Sequence, residues 1–520
     1  MERANNAEDC ISVKITLDNM ADKPLILNAP RTGIAQSPNV GIGDCRNLDI
    51  DTTLGVAKLN NILAKVSTTA VTATVKWIVR DPVTTSKAYA VDSSGDVYVG
   101  TLTGSTWAWI DLGTQPTNGG AGQGLAIWKD YLFCARATAV DLYDIANTTW
   151  HNSWAGLTMT TDSLWHPMLV SKLDDKLYIG SGRYIDSVAE VSGQNFTWNT
   201  GGTYTATASA LTLPEDYRVK CLAEQGNNLM IGTWMGTNIY DNRIADIFPW
   251  DGSSVTYGKP IIMGEFGVNA MINIGGYLYI LAGIDGDVYK SNGVQAWKIA
   301  QIPQTLADIS GGKYFEPYPG AIANYKSKLF FSLSSSATAG KIISDGVGIY
   351  SLVETSNGNI LNFEHSISEG VMGSANPTII GALLPTSRDT LLVGWRNHET
   401  YGIDATNATS YAYGTDYSGY FESPLYQIGS NLANRQFTEA EFQLVKDLAT
   451  NEGIQISYRL NLTDSFTVMD TYTFDILGAI TSHNTGSKGI NILGSDKIQF
   501  KVGLKGTATT TPEFRNLILR

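Results

Sequence analysis

Lys176-Leu177-Tyr178-Ile179-Gly180 and Asn228-Leu229-Met230-Ile231-Gly232 are two copies of one pattern. Apolar and smaller residues alternate with a period of two, as a half-buried strand requires, and each copy is followed by a turn and another strand. The pattern returns at Tyr277-Leu278-Tyr279-Ile280-Leu281, Lys328-Leu329-Phe330-Phe331-Ser332 and Thr390-Leu391-Leu392-Val393-Gly394. Earlier versions stand at Asp130-Tyr131-Leu132-Phe133-Cys134 and Lys87-Ala88-Tyr89-Ala90-Val91, which makes seven.

Each copy has a partner strand before it, such as Gly124-Leu125-Ala126-Ile127-Trp128 or Val268-Asn269-Ala270-Met271-Ile272, and one after it, such as Gly286-Asp287-Val288-Tyr289-Lys290. A four-strand unit repeating at roughly 40–60 residues is the interval of a propeller blade, while β-helix rungs are shorter and sandwich strands do not return such a unit. The expected fold is therefore all-β, with a seven-bladed β-propeller over residues 76–428.

Residues 1–75 read as an irregular N-terminal arm, too polar and broken to form a core alone. Past the propeller the character changes. Ile454-Gln455-Ile456-Ser457-Tyr458, Thr471-Tyr472-Thr473-Phe474 and Ile498-Gln499-Phe500-Lys501-Val502 alternate strictly without the blade turns, which predicts a β-sandwich over residues 429–520.

Composition agrees with many short strands. Gly numbers 52 and Tyr 25 in 520 residues, while charged residues are only 16%, against about 25% in an average soluble domain. So low a charge density suits a surface covered by neighbours. The formal net charge of −13 argues against wrapping nucleic acid, because phosphate binding needs clustered Lys and Arg. No apolar run of about 18 residues exists, so membrane insertion is not expected.

Candidate chemistry is sparse. His151, His166, His365, His398 and His483 show no metal-ligand spacing, and Cys10, Cys45, Cys134 and Cys221 show no CxxC pair, so no metal, cofactor or catalytic residue is expected. Arg136, Arg183, Arg218 and Arg396 lie near blade strands, where a glycosidase would want an arginine cluster, yet arginines in repeats usually pair locally. Asp92-Ser93-Ser94-Gly95-Asp96 and Asp285-Gly286-Asp287 have the oxygen-rich look of calcium loops but lack the twelve-residue ligand series, and hairpin turns account for them. Trp77, Trp107, Trp109, Trp128, Trp165, Trp234 and Trp395 read as packing between blades, with sugar stacking as the rival reading.

Gly43-Asp44-Cys45-Arg46-Asn47-Leu48-Asp49-Ile50, Gly55-Val56-Ala57-Lys58-Leu59 and Trp77-Ile78-Val79-Arg80-Asp81-Pro82 resemble the opening of propeller proteins among the virion structural proteins of tailed bacteriophages. Tyr420-Phe421-Glu422-Ser423-Pro424-Leu425-Tyr426-Gln427-Ile428-Gly429 is similar to the passage by which such proteins leave the propeller. The resemblance implies a non-enzymatic tail protein, of nozzle or tail-tip type, made in the host cytoplasm and located in the virion tail. Its implied partners are other copies of itself in a ring and neighbouring tail proteins, with the DNA exit path close by. The alternative is a tail protein that binds a host receptor or glycan during adsorption.

Overall fold

The computed structural model describes residues 25–28, 44–50, 52–53, 56–67, 71–112, 120–154, 156–235, 245–302, 315–336, 346–355, 358–370, 377–407, 409–413, 417–427, 435–473, 485–494 and 497–519. Every regular element among them is a β-strand. The chain divides into two compact units, one of residues 63–349 and 367–406, the other of residues 1–62, 350–366 and 407–520.

The first unit contains six four-stranded antiparallel sheets. The first is Val75–Arg80, Lys87–Asp92, Val97–Thr103 and Thr106–Asp111; the second is Gly124–Trp128, Tyr131–Ala135, Val140–Asp144 and Thr149–His151. The third is Met168–Val170, Leu177–Ser181, Tyr184–Glu190 and Tyr204–Thr212. The fourth runs Tyr217–Gln225, Asn228–Met235, Ala245–Trp250 and Ile261–Glu265, and the fifth Val268–Ile274, Tyr277–Ala282, Asp287–Ser291 and Ala296–Gln301.

The closing sheet takes three strands from Thr378–Pro385, Leu391–Asn397 and Thr400–Thr406, and its fourth from Leu63–Lys65. Ala64 stands opposite Ala405 and Leu63 opposite Thr406. Between the fifth and closing sheets lies the pair Ile322–Tyr325 and Lys328–Leu333. The first strands of successive sheets, this pair included, are neighbours in a series that returns to Val75–Arg80, the closed ring of a β-propeller.

Second strands such as Leu177–Ser181 are buried at every position, because in a ring each sheet is covered on both faces. Outer strands keep a wet face, and Thr106–Asp111 alternates between exposed and buried. Inner strands approach so closely that a Cβ on Gly124 would strike the carbonyl oxygen of His166.

Two expectations are corrected here. The count of seven separate blades becomes six, because the repeat at Lys328-Leu329-Phe330-Phe331-Ser332 does not end as a four-stranded sheet of its own: its third and fourth strands, Gly348–Thr355 and Gly358–His365, belong to a ten-stranded sheet and residues 350–366 fall with the second unit. The propeller unit also begins at Leu63 and ends at Thr406, rather than at 76 and 428, since the strand completing the closing sheet lies within what the sequence reads as the arm.

The second unit gathers strands from three separate stretches of chain. One sheet has the order Leu25–Asn28, Phe514–Leu519, Arg435–Leu444, Thr485–Gly494. In another, Asp44–Arg46 pairs antiparallel with Gly419–Glu422, which pairs in turn with Lys497–Lys505 and so leads to Gly453–Arg459 and Thr467–Thr473. Phe442 and Tyr472 touch with ring centres 4.4 Å apart, and Phe421 and Phe514 at 5.6 Å, so apolar faces of the two sheets meet. Residues 429–520 therefore do not form this unit by themselves. Of the arm, residues 1–24, 29–43, 51, 54–55 and 68–70 lie outside the described residues.

Candidate functional site

Side chains from four parts of the ring converge on one indole. Trp165, in the loop that leads into the third sheet, has Lys76 Nζ 4.6 Å from its ring centre and Lys220 Nζ 5.6 Å from it. Tyr318, before the strand Ile322–Tyr325, meets the same ring edge-to-face at 5.1 Å and 88°. Residues of the first, third and fourth sheets and of the strand pair can meet in a closed ring only at its axis.

The sequence builds this local arrangement in an orderly way. Lys76, Lys220 and Asn269 occupy the second, fourth and second positions of inner strands. The Trp165 loop is held by Ser163, whose Oγ accepts from Trp165 N at 3.1 Å and donates to Trp165 O at 2.7 Å. Trp165 and Tyr318 are 5% and 7% exposed, so aromatic mass fills the axis at this level.

The electrostatics follow from burial. Desolvation lowers the Lys76 ammonium to about 8, although Glu316 and Asp92 pull it back up. Lys220 is lowered by burial as well, with Glu316 and Cys221 opposing. Lys220 Nζ donates to Asn269 Oδ1 at 2.7 Å, and Asn269 Nδ2 donates to the Gly283 carbonyl at 2.7 Å. The cluster can hold an anion or, through a partly neutral amine, act as a nucleophile.

The residues singled out from sequence do not come together. Arg136 pairs with Asp141 at 2.9 Å and Arg218 with Asp162 at 2.9 Å. Arg183 lies over Tyr184, and Arg396 donates to the His398 carbonyl at 2.7 Å. His166 is buried with Nδ1 3.0 Å from the Gly180 carbonyl, and His151 stacks on Trp198 at 3.6 Å. His483 and Cys10 fall outside the described residues. Cys134 and Cys221 are buried free thiols, and Cys45 is buried.

Asp92 Oδ1 accepts from the backbone N–H groups of Ser94, Gly95 and Asp96, an Asx turn. Among the described residues no cluster of His, Cys, Asp and Glu could hold a metal ion, and no helix is long and apolar enough to cross a membrane. Of the seven tryptophans, five are buried and Trp77 and Trp234 half-buried, so they serve packing. Lys76, Lys220 and Glu316 are absent from the sequence reading, since no local spacing links residues so far apart.

A second feature lies at one end of the fourth and fifth sheets. Asn228, Pro249, Asp251, Ser254, Thr256, Tyr257, Lys259 and Val294 line an open cavity of about 440 Å³. Of the aromatic residues in the neighbouring strands of the fifth sheet, Tyr277 and Trp297 are exposed.

No protein-family model and no curated protein sequence matches the chain. Solved structures similar to it include YCF48 bound to D1 peptide, at 10% identity and a TM-score of 0.41, covering 66% of this chain and 94% of that one. The β-propeller domain of Cps50 (Swd1) from Myceliophteria thermophila is similar at 9% identity and a TM-score of 0.42, covering 67% and 100%. An exo-β-1,3-galactanase from Phanerochaete chrysosporium is similar at 9% identity and a TM-score of 0.32, covering 89% and 100%.

Proposed function

We propose that this chain is a non-catalytic structural component of a tailed-phage tail, of nozzle or tail-tip type, working as several copies beside other tail proteins. The observation that carries the reading is connectivity. The chain passes between its two compact units four times, at 62/63, 349/350, 366/367 and 406/407. Load between the units is thus shared by four chain connections rather than carried by one linker, a property that suits a virion component under mechanical load. The filled axis supports the same reading, because that convergence point carries a Trp165–Tyr318 contact in place of an open substrate cleft.

In this reading the two sheets of the second unit form a β-sandwich, and the acidic, sparsely charged surface meets identical copies and tail neighbours. Cryo-electron microscopy of the intact particle tests it. Multiple copies within the tail are expected, and absence of the chain from purified virions overturns the proposal.

A second reading, adsorption to a host glycan or receptor, draws support from the cavity beside Tyr257 and from exposed Trp297 and Tyr277, since aromatic faces and hydroxyl-bearing side chains suit sugars. Glycan soaks, and blocking of phage adsorption by the purified chain, separate the two.

A further inference from the structure

The geometry points to an intramolecular isopeptide bond between Lys220 Nζ and Asn269 Cγ, formed by the chain itself and joining the inner strands of the fourth and fifth sheets. Nζ already donates to the amide oxygen at 2.7 Å, which brings it alongside Cγ, and near-attack pairs need reacting atoms about 3–3.5 Å apart. The amide orientation is not arbitrary. The Gly283 carbonyl can only accept and the ammonium can only donate, so Nδ2 faces Gly283 and Oδ1 faces Lys220.

The surroundings suit the reaction. Lys220 and Asn269 are 7% and 6% exposed, so water competes poorly with the amine, and the indole of Trp165 forms one wall. Burial favours the neutral, nucleophilic amine. Glu316 is the carboxylate whose charge acts on both Lys76 and Lys220, and it is assigned the proton transfer through an intervening water.

The step balances without any oxidant. Glu316 takes a proton from the Lys220 ammonium, and the free amine attacks Cγ to form the new C–N bond. The Cγ–Nδ2 bond then breaks as Glu316 returns the proton to Nδ2. The departing ammonia carries off the remaining extra proton of the Lys220 nitrogen and leaves as ammonium, and a neutral secondary amide remains.

This inference is independent of the tail reading, and its consequence is mechanical. A covalent tie across the 49 residues that separate the pair would restrict the unfolded chain as a disulfide does, in a position no reductant can cleave.

Intact-mass spectrometry of the purified full-length chain decides the matter. The expected mass is that of the sequence less one ammonia, and digestion should yield one branched peptide containing both Lys220 and Asn269. Recovery of the two residues in separate linear peptides from folded protein overturns the proposal, as does an ammonia loss mapped to another pair. Glu316→Gln, checked for native circular dichroism, should keep the full sequence mass. A bond formed as fast in that variant would overturn the role of Glu316. Lys220→Met removes the nucleophile, and any remaining branched peptide at Asn269 would likewise overturn the assignment.

Discussion

Arg136 Nε donates to Asp141 Oδ2 at 2.9 Å, and the two side chains are 2% and 1% exposed. The guanidinium also donates to the Gly95 carbonyl of the preceding sheet, while Asp141 Oδ1 accepts from Ser153 N at 2.8 Å. One buried pair thus fastens two neighbouring sheets and a loop. Removing one partner strands the other charge where water cannot reach it, which typically costs about 3–5 kcal/mol. Asp141→Ala should therefore lower the urea midpoint strongly. Arg136→Met combined with Asp141→Leu should cost much less than the sum of the single changes, and an additive double-mutant cycle would show that the pair is not coupled.

Leu177 is fully buried in the second strand of the third sheet, in a cluster with Phe133, Leu142 and Ile179. Leu177→Ala should cost about 2–5 kcal/mol through lost transfer energy and the cavity left behind. Leu177→Asp should abolish folding, because a carboxylate there has no partner. Circular dichroism and expression in soluble form check both variants.

Asp186 is held above the ordinary carboxylate value of 3.8, at about 6, by burial, with the hydrogen bond from Ser209 N only partly opposing it. A raised folded value means that the native state binds the proton more tightly than the unfolded chain. The stabilisation is full below about pH 4 and is lost as pH rises through about 6. Asp186→Asn keeps an acceptor for Ser209, so it should flatten stability between pH 4 and 7 and gain up to about 2–3 kcal/mol at neutral pH. Urea titrations at several pH values measure this directly.

Deletion of residues 1–40 tests whether the arm docks the protein onto partners. The strand Leu25–Asn28 pairs with Phe514–Leu519 in the second unit, whereas the propeller unit takes nothing N-terminal to Leu63. On the proposed tail reading, the truncated chain should keep its propeller folded, as judged by protease resistance of that unit, yet be missing from assembled tails seen by electron microscopy. Normal incorporation would place attachment elsewhere, most simply in the C-terminal stretch.

Much of the architecture was legible in the order of residues. Alternation in Leu177-Tyr178-Ile179 or Leu391-Leu392-Val393 specifies a strand because side chains of an extended backbone point to opposite faces, and that information is local. The local pairing of Arg136 with Asp141, five residues on, and the packing role of Trp107 and Trp109 follow from the same short-range logic.

Closure was decided only in three dimensions. Leu63 and Thr406 stand opposite each other in one ladder, yet no composition or period marks Leu63–Lys65 as the missing strand, since any short apolar segment has backbone groups able to complete an edge. The blade count failed for the same reason, because the repeat at Lys328-Leu329-Phe330-Phe331-Ser332 looks like the others until its later strands cluster with residues 407–520. Lys76, Trp165, Lys220, Asn269 and Glu316 have no mutual spacing to detect. A strand pattern is written by neighbours along the chain, while the axial cluster exists only where the closed ring brings inner strands from distant stretches of chain to one point.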